Sequence, residues 1–141
     1  MAKILNNKLS AFGDYQELEE IRDYVRKKAK VFGLPENKVN NITLAVDEAC
    51  SNLIHYNINF DSNKKFTINV IENKNSISVL IKDTGKPFDL LKVDSPNMEK
   101  YFKEFRHGGL GIHIIKKIVD KIEYIPSEDN GTNTLILTMY I

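Results

Sequence analysis

Residues Leu44–Tyr56 read LAVDEACSNLIHY, a stretch that places Glu48 and Asn52 one helical turn apart. Positions i and i+4 are neighbours on a helix surface, so this carboxylate and carboxamide can reach one common object. The stretch is part of a longer helix, expected to open near Pro35 and run to about Tyr56. Val39, Ile42, Val46, Ala49, Leu53 and Tyr56 recur there in steps of three and four. Asn41, Ala45, Glu48, Asn52 and His55 fall on a different stripe, polar except for one alanine. That stripe is expected to face away from the main core.

On the N-terminal side, GDYQELEEIRDYVRKKAKVFG (13–33) spaces Leu18, Ile21, Val25, Ala29 and Phe32 as a helix face. Asp14 is the expected N-cap and Gly33 the stop. Acidic residues crowd its first half and basic residues its second, which suits the helix macrodipole. KILNNKLSAF (3–12) reads as a single short first strand. On the C-terminal side, KFTINVIE (65–72) and SISVLIKD (76–83) alternate as strands joined by NKN, a hairpin by pattern. Ile77, Val79 and Ile81 share one strand face, and the period of two puts Asp83 on it as well. A carboxylate there is costly to bury unless hydrogen-bond donors meet it.

Beyond Asp83 the pattern breaks into TGKPFDLLKVDSPNMEKYFKEFRHGGLG (84–111), with one short helix expected, capped by Ser95 and started by Pro96. So long an irregular segment reads as a lid or an insertion, bounded at about 86–108. Gly108, Gly109 and Gly111 then open a third helix, LGIHIIKKIVDKI (110–122). Glycines at a helix start let a ligand approach unpaired N–H groups, which favour anions and phosphates. Two closing strands, KIEYI (121–125) and TLILTMYI (134–141), flank the turn PSEDNGTN. Neither a Walker A run nor a dinucleotide-binding glycine loop is present, which excludes both of those folds.

A chain of 141 residues suits one domain, expected to span 1–141. Twenty basic and nineteen acidic side chains, interspersed, argue against charge-driven nucleic-acid binding and against a polybasic membrane anchor. With Cys50 as the single cysteine, an internal disulfide and a cysteine-built zinc site are both excluded, and a reducing, cytoplasmic compartment is expected. No apolar run is long enough for a signal peptide or a membrane span. The three histidines show no metal-ligand spacing.

Taken in order, these pieces resemble the ATPase superfamily of gyrase B, Hsp90, MutL and bacterial histidine kinases, and more narrowly its anti-sigma-factor serine kinases. AVDEACSNLIHY resembles that branch's N box, DTGKPFD its first glycine box, GGLGIHII its second and GTNTLIL its closing strand. The likeness runs from about residue 10 to the end. Pro87 stands where the wider superfamily often has a second glycine, and PFD matches the anti-sigma branch.

The resemblance implies an α+β two-layer sandwich, a mixed, mostly antiparallel sheet covered on one face by helices, known as the Bergerat-type ATP-binding fold. ATP and Mg²⁺ are the implied cofactors. Asn52 would ligate the magnesium, since that ion takes few hard oxygens from protein. Glu48 would accept the proton of an attacking hydroxyl, from water or from a protein serine. Asp83 would accept a hydrogen bond from the adenine amine, with Gly85 leaving room for the ring. The N–H groups of Gly109, Leu110 and Gly111 would hold phosphates, Arg106 or Lys103 would reach the γ-phosphate, and Thr132 would line the nucleotide from the closing strand. The implied function is an anti-sigma factor with ATP-dependent serine-protein kinase activity. It would phosphorylate a STAS-type anti-sigma antagonist and sequester a sigma factor, with dimerisation implied by the family. A second reading is an ATP/ADP-gated protein-binding module without phosphoryl transfer, against which the presence of Glu48 speaks.

Overall fold

The computed structural model describes residues 2–5, 7–58, 61, 63–87, 91, 109–128 and 131–141. The N-terminal run forms two strands where one was expected, β1 (Lys3–Leu5) and β2 (Lys8–Phe12), paired antiparallel with Leu5 opposite Lys8. Asn7 sits at φ 63°, the left-handed conformation that asparagine tolerates better than most residues and that a tight hairpin needs. Tyr24 Oη donates to the Asn7 carbonyl at 2.7 Å, which pins the hairpin to the first helix.

Asp14 caps a 3₁₀ turn, Tyr15–Glu17, by accepting from the Gln16 N–H at 2.9 Å, and the turn leads into α1 (Leu18–Phe32). Glu17 is buried in spite of its charge, and it accepts from the backbone N–H groups of Ala2 and Phe12 at 2.9 and 3.2 Å. A carboxylate inside the fold is tolerable on those terms. Gly33 ends α1 at φ 102°, its N–H returning to the Ala29 and Lys30 carbonyls.

α2 covers Glu36–Asn52 and does not continue to Tyr56 as an α-helix. The next five residues, Leu53–Asn57, form a wider π turn closed by the Ile58 N–H to the Leu53 carbonyl at 3.0 Å. Widened turns of this kind concentrate at functional sites. β3 (Lys65–Glu72) and β4 (Ser76–Asp83) have the boundaries expected from the alternation, and the Asn73 N–H to the Ser76 carbonyl closes their hairpin. α3 (Gly109–Ile118) is shorter than expected, because the chain turns at Val119 and Asp120 into β5 (Lys121–Ile125), followed by β6 (Asn133–Tyr140).

The six strands order as β1-β2-β3-β4-β6-β5, and all of these pairings are antiparallel. The expectation of a mixed, mostly antiparallel sheet therefore narrows to an antiparallel one among the described strands. Phe66 and Ile68 of β3, Ile77, Val79 and Ile81 of β4, and Leu135, Leu137 and Met139 of β6 are buried on one face. Alternate positions such as Ser76, Lys82 and Thr134 are only partly covered. α1 packs over β2 and β3, α2 over β6, and α3 lies against α2. The helices cover one face, and the fold is the α+β two-layer sandwich expected. An Arg22 Nη1–Asp47 Oδ1 ion pair at 2.8 Å ties α1 to α2. Each fully buried Ile or Phe contributes about 1.5–3 kcal/mol relative to exposure, so this shared face carries the fold.

Candidate functional site

Two groups of the expected site residues come together, one between α2 and α3, the other where β4 and β6 begin to diverge. In the first, Glu48 is half-buried and Asn52 is 6% exposed. The stripe that carries them was expected to face away from the main core, and it does so only in part. Ala45 and Asn52 are buried, Asn41 is partly covered and His55 is exposed. Burial arises because α3 packs on this side of α2, making a second helix interface beside the core.

Gly111 is what permits the close approach. A Cβ on Gly111 would collide with Glu48 Oε2, lie 3.2 Å from Glu48 Cδ and 3.8 Å from Asn52 Nδ2. Asn52 Nδ2 donates to the Glu48 carbonyl at 3.0 Å. That bond orients the amide and presents Oδ1 as its remaining acceptor. Burial raises the Glu48 carboxyl above its ordinary value, and the neighbouring Asp47 charge adds to the rise. A carboxylate so adjusted is a better proton acceptor than a solvated glutamate.

Gly111→Ala is expected to leave the protein folded, because alanine is the better helix former by roughly 0.5–1 kcal/mol and the atom in its way ends a flexible side chain. It should nonetheless displace the Glu48 carboxylate. A thermal melt near wild type, with any Glu48-dependent reaction reduced about tenfold or more, is the expected pair of results. A melt and reaction both unchanged would show that the contact has no functional weight.

In the second group, Asp83 is 3% exposed, on the face the strand period assigned it. Its Oδ2 accepts from the Gly85 N–H at 2.9 Å and from Asn133 Nδ2 at 3.2 Å. Asn133 pairs directly across from Asp83 in the β4–β6 register and is fully buried. Thr132, the residue expected to line the nucleotide, is exposed and stands one position outside the strand. Asn133 was missed, although a signal was present: counting back by two from Leu137 and Leu135 reaches Asn133, not Thr132.

Gly109 and Leu110 form the first residues of α3, whose leading N–H groups lack helical partners. Arg106 and Lys103, the short helix expected after Ser95 and most of the expected lid at 86–108 lie outside the described residues. Lys86 and Pro87, at its start, are exposed. Among the described residues no group of three or more His, Cys, Asp or Glu side chains gathers to hold a metal. A magnesium ion held chiefly by phosphates and water, with one hard oxygen from Asn52 Oδ1, fits this donor set. Cys50 is buried, and burial pushes its thiol far up, so it is inert toward such chemistry. No helix among the described residues is long and apolar enough to cross a membrane.

A family model described as a histidine kinase-like ATPase domain matches residues 13–139. The serine-protein kinase RsbW of Halalkalibacterium halodurans is 24% identical over 117 residues, spanning 80% of this chain and 69% of that protein. RsbW of Bacillus thuringiensis is 25% identical over 118 residues, spanning 80% of this chain and 71% of its own length. Among solved structures, a chain of the SiaB–SiaC complex from Pseudomonas aeruginosa superposes with a TM-score of 0.60 at 14% identity, covering 98% of this chain and 91% of that one. That last likeness concerns the fold alone.

Proposed function

We propose a function from one premise: the chain belongs to the family of histidine kinase-like ATPase domains. On our reading it is an ATP-dependent serine-protein kinase that also acts as an anti-sigma factor. The substrate is a serine on a STAS-type anti-sigma antagonist, and the sequestered partner is a sigma factor. The names of the relatives support the kinase class. The observation that carries it is the packing of Glu48 and Asn52 against Gly111, which brings a carboxylate and a carboxamide to the opening turn of α3.

Each side chain then has a task. Asp83 accepts from the exocyclic amine of adenine, and Gly85 keeps the backbone beside the ring free of a side chain. The N–H groups of Gly109, Leu110 and Gly111 hold phosphate oxygens at the helix start. Asn52 Oδ1 is the protein's oxygen on magnesium, which when bound neutralises charge on the phosphates. Glu48 takes the proton from the serine hydroxyl as the serine oxygen bonds to the γ-phosphorus, the bond to the β,γ-bridging oxygen breaks, and ADP leaves. Arg106 is the proposed cation for the γ-phosphate.

The second reading, a nucleotide-gated binding module without transfer, shares everything but the role of Glu48. Both readings are tested by Asn52→Ala. Calorimetry with ATP should show a magnesium-dependent affinity lowered about tenfold or more, while affinity measured in chelator changes little. Capture of the antagonist from purified mixtures should lose its dependence on ATP in the same variant. Equal magnesium dependence in wild type and variant would remove Asn52 from the metal and undo the site as proposed.

A further inference from the structure

Asn133 is fully buried, and its amide is engaged at both ends. Nδ2 donates to Asp83 Oδ2 at 3.2 Å and to the Gly85 carbonyl at 2.9 Å, and Oδ1 accepts from the Ser127 N–H at 2.8 Å. The amide orientation follows from its partners. Turned over, its oxygen would face a carboxylate and a carbonyl, and its NH₂ would face an N–H. With the Gly85 N–H at 2.9 Å, two donors meet on the one Asp83 oxygen. Charge-assisted bonds of this kind are strong and directional.

We infer that Asn133 is the positioning residue that fixes Asp83 as a rigid acceptor and thereby sets the preference of the site for adenine over guanine nucleotides. The inference rests on the role proposed above for Asp83. Asn133 joins three backbone segments: the end of β4, the turn through Gly85, and the β5–β6 connection at Ser127. With Asn133 fixed in this way and the Gly85 N–H beside it, two donors on Oδ2 keep the carboxylate from turning. A fixed acceptor favours the adenine amine and cannot swing away from the carbonyl that guanine offers in its place. An unclamped one both binds adenine less well and tolerates guanine better, so discrimination depends on the clamp as well as on the carboxylate.

Calorimetry of the full chain with ATP and with GTP, each in the presence of magnesium, tests this in wild type, Asn133→Ala and Asn133→Ser. Wild type should prefer ATP strongly. In Asn133→Ala the ratio of ATP to GTP affinity should shrink about tenfold or more, the scale of losing a buried bond to a charged group. Asn133→Ser, which keeps one donor, should give an intermediate ratio. A thermal melt identifies the folded variants, and if the alanine protein lacks a cooperative transition the serine protein carries the test. If the folded variants lose ATP and GTP affinity by the same factor, or keep the wild-type ratio, Asn133 is a packing residue and the inference is overturned. A wild-type protein without preference for ATP would overturn the adenine reading of Asp83 and, with it, this inference.

Discussion

Glu48→Gln is expected to lower phosphoryl transfer to the antagonist by about 100-fold or more while ATP affinity stays near that of wild type. The substitution keeps size and helix propensity and removes only the basic carboxylate. Because burial and Asp47 raise the Glu48 carboxyl, the acid limb of the wild-type pH profile should lie above the ordinary glutamate value. The sign is fixed: proton acceptance needs the ionised form, so transfer falls as the pH drops through that raised value. In Glu48→Gln the limb should vanish along with the rate. A variant as active as wild type, with the limb in place, would take the role of base away from Glu48.

The second large effect is expected at Asp83. In Asp83→Asn the new side chain can keep its oxygen toward the Gly85 and Asn133 donors, which turns its NH₂ toward the base. Donor then faces donor at the adenine amine, and ATP affinity should fall about 100-fold, with GTP affinity unchanged or improved. Binding of both nucleotides by calorimetry, beside a melt that reports folding, measures this directly. Equal ATP affinity in a folded variant would remove Asp83 from base recognition.

How far the sequence led can be read from these residues. Asp83 was legible because Ile77, Val79 and Ile81 set a strict period of two that carried the acid inward with them. β3 and β4 were legible to the residue for the same reason, with an asparagine-rich turn to separate them. The burial of Asn52 was not. Part of its cover is the opening turn of α3 at Gly111, and a partner without a side chain leaves no apolar signal to match against a polar stripe. Nor was the β1–β2 hairpin, since the strand residues on both sides of its turn mix polar and apolar types, and Ile4 remains 65% exposed. Glu17 stands among several acids in the first half of its helix, and its burial depends on the N–H groups of Ala2 and Phe12, which no local pattern reveals. Asn133 was within reach of the strand period, but the resemblance pointed to its neighbour Thr132.

The contacts at Glu48 bear on the choice between enzyme and binding module. The dipole of α3 favours a carboxylate at its opening turn, but on the proposed site that carboxylate would lie close to bound phosphates and repel them, a cost for which a module that only senses nucleotide gains nothing. A base that must meet a hydroxyl beside the transferred group has every reason to be there.

The most direct measurement is mass spectrometry of a purified STAS-type antagonist from the same organism after incubation with this protein, ATP and magnesium. The account predicts one phosphoserine on the antagonist, formed by wild type and reduced at least about 100-fold with Glu48→Gln. An antagonist that stays unmodified, while binding more tightly with ATP than without, would contradict the kinase reading and establish the nucleotide-gated module in its place.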